Sequence, residues 1–294
     1  MIYDTSAVKS ATKPKRNRRT NEELDGIKEA VKEILNEYEE SITIRHLFYR
    51  LVGKGTIEKT EDEYSKLCRQ LAKWRKSGEI AYNNFVDGTR FYHGETLYGD
   101  MASALDITAE CYRKNLWATQ PHFVEVWVEK DAITGIVSGI ASSFGVKTFC
   151  CRGFTSITSL YNAAETYKNA IHHGKQVSIF YLGDHDPSGL GIDRQIKEAM
   201  FDFDIDVTFT RLAILPHQIV DWNLPTRPVK ATDKRAKNWE GGCVEIDTLR
   251  PDQLKQLLED AIASRIETGE WMRLKQIENE ERETLRNIAA NWRN

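Results

Sequence analysis

Two groups of residues in this chain have the types and spacing for chemistry. The first is the run Ile42-Thr-Ile-Arg45-His46-Leu-Phe-Tyr49-Arg50-Leu-Val-Gly53. At ~100° per residue, Ile44, Leu47, Phe48, Leu51 and Val52 share one arc of a helix. Arg45, His46, Tyr49, Arg50 and Gly53 share the opposite arc, with Tyr49 near its middle. A tyrosine among cations can act as a nucleophile. The positive field favours phenolate, and the same arginines can hold a phosphate. An amphipathic helix with an exposed tyrosine gives the same pattern. The second group is acidic. Glu129 follows the apolar run Val124–Val128, and Asp184-His-Asp186 follows the apolar run Gln176–Leu182. Residues two apart on an extended segment point the same way. Clustered carboxylates repel unless a cation sits among them, and hard oxygen donors suit Mg²⁺. Alone, an Asp-x-Asp also occurs in glycosyltransferases, in phosphatases of the haloacid dehalogenase kind and in plain loops.

The elements that must position these residues are readable from periodicity. Helices are predicted over Asn21–Tyr38, Thr43–Val52 and Glu61–Ser77, the last opened by a capping box of Thr60 with Glu63. Strand-like runs at Ile80–Val86 and Thr89–Tyr92 flank Asp87-Gly88, a hairpin signal. Three helices and a hairpin suggest a winged helix-turn-helix. The third helix carries Lys66, Arg69, Lys73, Arg75 and Lys76, as a DNA-facing helix does and as a solvated, charge-paired helix also does. From Phe123 the pattern becomes strands alternating with helices: strands at 124–128, 146–150, 176–182 and 206–212, helices at 132–144, 156–172 and 188–201. That order means an α/β unit with a mainly parallel sheet, whose ligands bind beyond the carboxyl ends of the strands. Two helices, 251–267 and 270–292, finish the chain. The expected division is a basic arm (1–20), a DNA-binding unit carrying Tyr49 (21–98), a connector (99–122) and an α/β unit with C-terminal helices (123–294).

Composition narrows the class. The chain has 294 residues and a net charge of -3, with 41 Lys plus Arg against 44 Asp plus Glu. That excludes a histone-like polycation, but not a nucleic-acid enzyme, because the distribution of charge matters more than its sum. The first 98 residues are net basic and the remainder net acidic. Lys9–Arg19 carries six basic residues and no acid, which fits a solvated tail or a phosphate-contacting arm. Five cysteines without a Cys-x-x-Cys pair argue against a disulfide scaffold or zinc ribbon. No run reaches the ~18 apolar residues of a membrane span, and no apolar signal core opens the chain, so a reducing cytoplasm is expected.

Glu129 with Asp184-His-Asp186, at the ends of two strands of one α/β unit, resembles the Toprim domain of topoisomerases, primases and some nucleases. Ile-Arg45-His-Leu-Phe-Tyr49 on the second helix of a winged helix, upstream of such a domain, resembles the A subunit of topoisomerase VI and its eukaryotic relative that opens meiotic double-strand breaks. Val128-Glu-Lys-Asp-Ala132, Gly183-Asp-His-Asp-Pro-Ser-Gly189 and Val244-Glu-Ile-Asp-Thr-Leu249 fit the same family, over roughly residues 40–268. His46 departs from it, since an acid is common there. The chain is short for the family and carries no ATPase motif, which brings it nearest the stand-alone proteins of mobile elements.

The resemblance implies a catalytic Tyr49 assisted by Arg45, and Mg²⁺ held by Glu129, Asp184 and Asp186. It implies double-stranded DNA gripped through Arg50, Lys66, Arg69, Lys73, Arg75 and Lys76. It implies a homodimer whose sites are built in trans, a 5′-phosphotyrosyl link and a nucleoid setting in a prokaryote, phage or plasmid, and it leaves open a separate ATPase subunit as a partner. Two other functions remain open on the sequence: a Toprim-type metal-dependent nuclease that uses water, and a non-catalytic DNA-binding protein.

Overall fold

The computed structural model describes residues 19–38, 41–86, 95–229, 239 and 241–292. Its first unit is three helices: α1 (Asn21–Leu35), α2 (Ile44–Gly53) and α3 (Glu61–Lys76). Each is amphipathic, and their apolar stripes meet in one core of Ile27, Val31, Ile34, Leu47, Leu51, Leu67, Leu71 and Trp74. Thr20 and Glu23 form a full capping box on α1. On α3 only half of the expected box is present. Thr60 accepts from the Glu63 N–H at 3.2 Å, while the Glu63 carboxylate pairs with Arg19 and Lys66.

The strand expected over Ile80–Val86 is not formed. Tyr82–Asn84 is a 3-10 turn, and Phe85 alone makes a bridge, parallel, to Ile42. Ile80 is drawn into the helical core, and Asn83-Asn84 has poor strand propensity. The other half of the expected hairpin, Asp87–Tyr92, lies outside the described residues, as does the basic arm up to residue 18.

After α4 (Met101–Cys111) comes the α/β unit. It runs β1 (His122–Val128), α5 (Asp131–Ser143), β2 (Lys147–Cys150), α6 (Ile157–His172), β3 (Gln176–Leu182), α7 (Pro187–Asp202) and β4 (Val207–Ala213). The four strands form one all-parallel sheet in the order β2-β1-β3-β4. A parallel sheet buried on both faces reads as near-continuous apolar sequence, and β3 is buried along its length after Gln176. Val124, Val126, Phe180 and Leu182 pack against α5 and α9 (Pro251–Ala263) on one face. Trp127, Ile179 and Tyr181 pack against α6 and α7 on the other. A short helix not foreseen from the sequence, α8 (Pro216–Asp221), follows β4, and α10 (Thr268–Trp292) packs along α4.

The order of the strands fixes where a site forms. The chain leaves β1 toward β2 on one side and returns to β3 on the other, so β1 and β3 flank the point where the winding reverses. A crevice opens there beyond the strand ends. Val128 pairs with Leu182, and the Glu129 N–H continues the ladder to the Leu182 carbonyl at 2.9 Å. Glu129 and the Gly183–Asp186 turn therefore leave the sheet side by side.

Candidate active site

On α2, the Arg45 guanidinium donates to the Tyr49 Oη at 3.3 Å. Arg45 also lies 5.7 Å from the Tyr49 ring centroid and 5.8 Å from that of Tyr64. Two further cations reach the same tyrosine. Lys59 Nζ is 5.0 Å and Lys130 Nζ 5.3 Å from its ring centroid. Tyr49 borders a cavity of about 120 Å³ lined by Arg45, Phe48, Lys59, Thr60, Glu61 and Tyr64. Sequence periodicity placed Arg45 and Tyr49 together correctly, and had no means of bringing up Lys59 or Lys130.

The polar arc of α2 is not one open face. Arg45 is exposed and Tyr49 half-buried, but His46 and Arg50 are buried. The Arg50 guanidinium pairs with Glu37 and donates to the Thr248 carbonyl at 3.3 Å. The DNA contact expected of Arg50 is not offered by this arrangement, because its charge is spent at the seam between α2 and residues 246–248. His46 Nε2 is hydrogen-bonded to the Tyr38 hydroxyl at 2.6 Å. Burial, with Arg50 and Lys130 adding like charge, pushes the imidazole down to about 3, so it is neutral near pH 7.

The acidic residues sit where the strand order places them. Glu129 Oε2 accepts from the Asp184 N–H at 2.8 Å. Asp184 Oδ1 accepts from the Ile246 N–H at 2.8 Å. Asp186 is the N-cap of α7, accepting from the Gly189 N–H at 2.8 Å, with Pro187 following at the first helical position. Its other oxygen lies 3.7 Å from the Arg227 guanidinium. Arg211 of β4 fastens the turn from behind, donating to the Gly183 carbonyl at 2.8 Å and to that of Asp184, and pairing with Asp193 at 2.7 Å.

Around these acids lies a web that sequence reasoning did not assign. Lys130 Nζ is 3.0 Å from Asp184, 2.6 Å from Glu245 and 2.7 Å from Asp247. Glu245 also pairs with Lys59 and Arg227. Val244 and His185 exchange backbone hydrogen bonds at 2.8 and 3.1 Å, which lays the 243–249 segment over the Asp184 turn. The signal was in the sequence, since Lys130 and Val244–Leu249 belong to the family-like motifs quoted above, but no spacing said that they touch.

Burial, then the Asp184 charge, raises Glu129 to about 8. Burial raises Asp184 to about 6 against the pull of Lys130. Burial pushes on Glu245 too, yet Lys130 and Lys59 hold it well below the ordinary carboxylate range. Like charge adds to burial at both, from Asp184 on Glu129 and from Glu245 on Asp184, and a cation beside these hard oxygen donors would relieve it. On that ground the donor set fits a hard divalent ion. Among the described residues, however, no three such side chains already converge on one point. Lys130 supplies the local positive charge instead.

On α3, Arg69, Lys73 and Lys76 are exposed and have no ion pair with a described residue. Their spacing puts them on one face. Lys66 pairs with Asp62 and Glu63 of its own helix, and Arg75 lies over the rings of Tyr82 and Phe85. Those two expected phosphate contacts are therefore engaged within the chain. The basic loop residues Lys230, Lys234, Arg235 and Lys237 lie outside the described residues. A larger cavity, about 190 Å³, lies between α1 and residues 79–84. Its charged lining residues, Lys32 and Glu79, are already paired, with Glu29 and Lys28, so it gathers no comparable chemistry.

No family model, no curated protein and no solved structure matches this chain. Among the described residues no helix is long and apolar enough to cross a membrane.

Proposed function

We propose that the protein is a DNA-cleaving transesterase of the topoisomerase VI A-subunit kind, a winged-helix unit joined to a Toprim-type unit. The observation that carries this reading is the crowding of three cations, Arg45, Lys59 and Lys130, on the half-buried Tyr49 at the mouth of a cavity. A tyrosine so placed can deliver its oxygen to a phosphodiester whose charge the cations offset.

In the proposed step the Tyr49 oxygen attacks phosphorus and loses its proton to solvent. The bond from phosphorus to the 3′ oxygen breaks, the 3′ oxygen takes up a proton, and the 5′ phosphate stays on Tyr49. Arg45 orients the phenol and neutralises the phosphate. Glu129, Asp184 and Asp186 would hold Mg²⁺, which when bound supplies charge stabilisation at the developing and leaving oxygens. Arg69, Lys73 and Lys76 would follow the DNA backbone, giving affinity with weak sequence preference. A homodimer would make one cut per strand. A separate ATPase subunit and a nucleoid location belong to the same reading.

The test is to incubate the protein with supercoiled plasmid and Mg²⁺, stop with denaturant, and look for DNA covalently bound to Tyr49. Tyr49→Phe is expected to abolish both adduct and cleavage, by ~10⁴-fold or more. Cleavage that survives in Tyr49→Phe means hydrolysis by the carboxylate site. Binding without cleavage by the unaltered protein means a DNA-binding protein only.

A further inference from the structure

We propose that Lys59, in the loop between α2 and α3, is a direct phosphate contact of the tyrosine site, and that the cavity it lines with Arg45, Tyr49 and Tyr64 seats one phosphodiester of the DNA backbone. The inference deepens the reading above and rests on it for the identity of the ligand.

Four observations converge on Lys59. Its ammonium lies 5.0 Å from the Tyr49 ring centroid, and its side chain lines the same cavity. Arg45 lines that cavity as well and donates to the Tyr49 hydroxyl. Two cationic side chains and the tyrosine thus line one space. At about 120 Å³ it holds several times what one water needs. Finally, Lys59 is held by an acid from the other unit, Glu245, and keeps 32% of its side chain exposed. Glu245 has other partners, Lys130 and Arg227. Lys59 can therefore exchange Glu245 for a DNA phosphate without leaving a buried carboxylate unpaired. Glu61 also lines the cavity and disfavours an anion there, but it is exposed and screened by solvent.

A lysine that exchanges a carboxylate for a phosphate adds about one released counterion to DNA binding. The full-length protein carrying Tyr49→Phe, which blocks the proposed chemistry, is titrated with a short duplex from ~50 to ~200 mM KCl. Adding Lys59→Met is expected to lower the slope of log K against log salt by about 1, and Lys59→Arg to keep it. A distant exposed lysine, Lys255, changed to Met serves as the control for general charge loss. In protein with Tyr49 intact, Lys59→Met is expected to slow single-turnover cleavage by ~10²-fold. An unchanged slope in a folded Lys59→Met protein, or an equal loss of slope in Lys255→Met, overturns the proposal. The slope is read without chemistry. A missing Tyr49–DNA adduct would therefore sink the transesterase reading and leave the Lys59 result interpretable.

Discussion

Tyr49 and His46 are three residues apart on one helix, yet they meet opposite environments. Tyr49 opens on a cavity and collects cations. His46 is fully buried, hydrogen-bonded through Nε2 to Tyr38, and its Nδ1 has no partner among the described residues. Helical periodicity could not separate the two, because both lie on the polar arc. What decides is the surface that α2 meets. Arg50 illustrates the same limit: its partners Glu37 and Thr248 stand 13 and 198 residues away in the chain. The neutral state of His46 has a consequence for stability. Its folded value of about 3 lies below its ordinary value of 6.5. The unfolded chain therefore gains a proton at mildly acid pH that the folded chain does not. The stability tied to this group is complete above pH 6.5 and is lost as pH falls toward 3. By pH 4 the loss is on the order of 3 kcal/mol. Urea unfolding at pH 7 and pH 4 should show a smaller drop for His46→Gln than for the unaltered protein. Equal drops would mean that His46 is protonated in the folded state.

At the scale of elements, the turn from β3 into α7 is the part of the site most tightly specified by sequence. Periodicity placed β3 at its observed bounds. The rule that ligands gather beyond the strand ends of a parallel sheet then pointed to Glu129 and Asp184. Two glycines make the turn possible. A Cβ on Gly183 would lie 2.6 Å from the Tyr181 ring and 2.7 Å from Glu129 Oε2. A Cβ on Gly189 would lie 2.3 Å from the Asp184 carbonyl oxygen, which is backbone and is also held by Arg211. Gly189→Ala is therefore expected to cost roughly 1–3 kcal/mol and to displace Asp184. Gly135→Ala on α5, where a Cβ meets nothing within 4 Å, should leave stability equal or slightly higher. Thermal unfolding of the two variants beside the parent tests the contrast, and comparable losses in both would remove the steric explanation. Much less of the rest was legible. Strand propensity suggested a strand over Ile80–Val86, but Ile80 packs into the helical core and the chain turns at Tyr82–Asn84 instead. The 244–249 motif was visible in the sequence, but nothing in its spacing said that it hydrogen-bonds to Asp184 and His185.

At the scale of the whole molecule, the question is whether one chain completes the proposed site. α2 is docked on the α/β unit through Arg50, Thr248 and the Lys59–Glu245 pair. That docking brings Tyr49 near the acids but does not aim it at them. Its hydroxyl is held by Arg45 at a cavity that none of Glu129, Asp184 or Asp186 lines. Lys130 stands between, touching the Tyr49 ring on one side and Asp184 on the other. Under the proposed function, the tyrosine site of one copy would then be completed by the carboxylates of another. This makes a direct prediction for mixtures. Tyr49→Phe and Asp184→Ala proteins should each be inactive alone. After co-refolding or co-expression, a mixed dimer has one intact pair, the tyrosine of one protomer with the carboxylates of its partner. Supercoiled plasmid should then be nicked and not linearised, because only one strand meets a complete site. If the mixture stays as inactive as its components while both proteins bind DNA, the site is completed within one chain. Lys130 would then have to move aside before Tyr49 could meet the carboxylates.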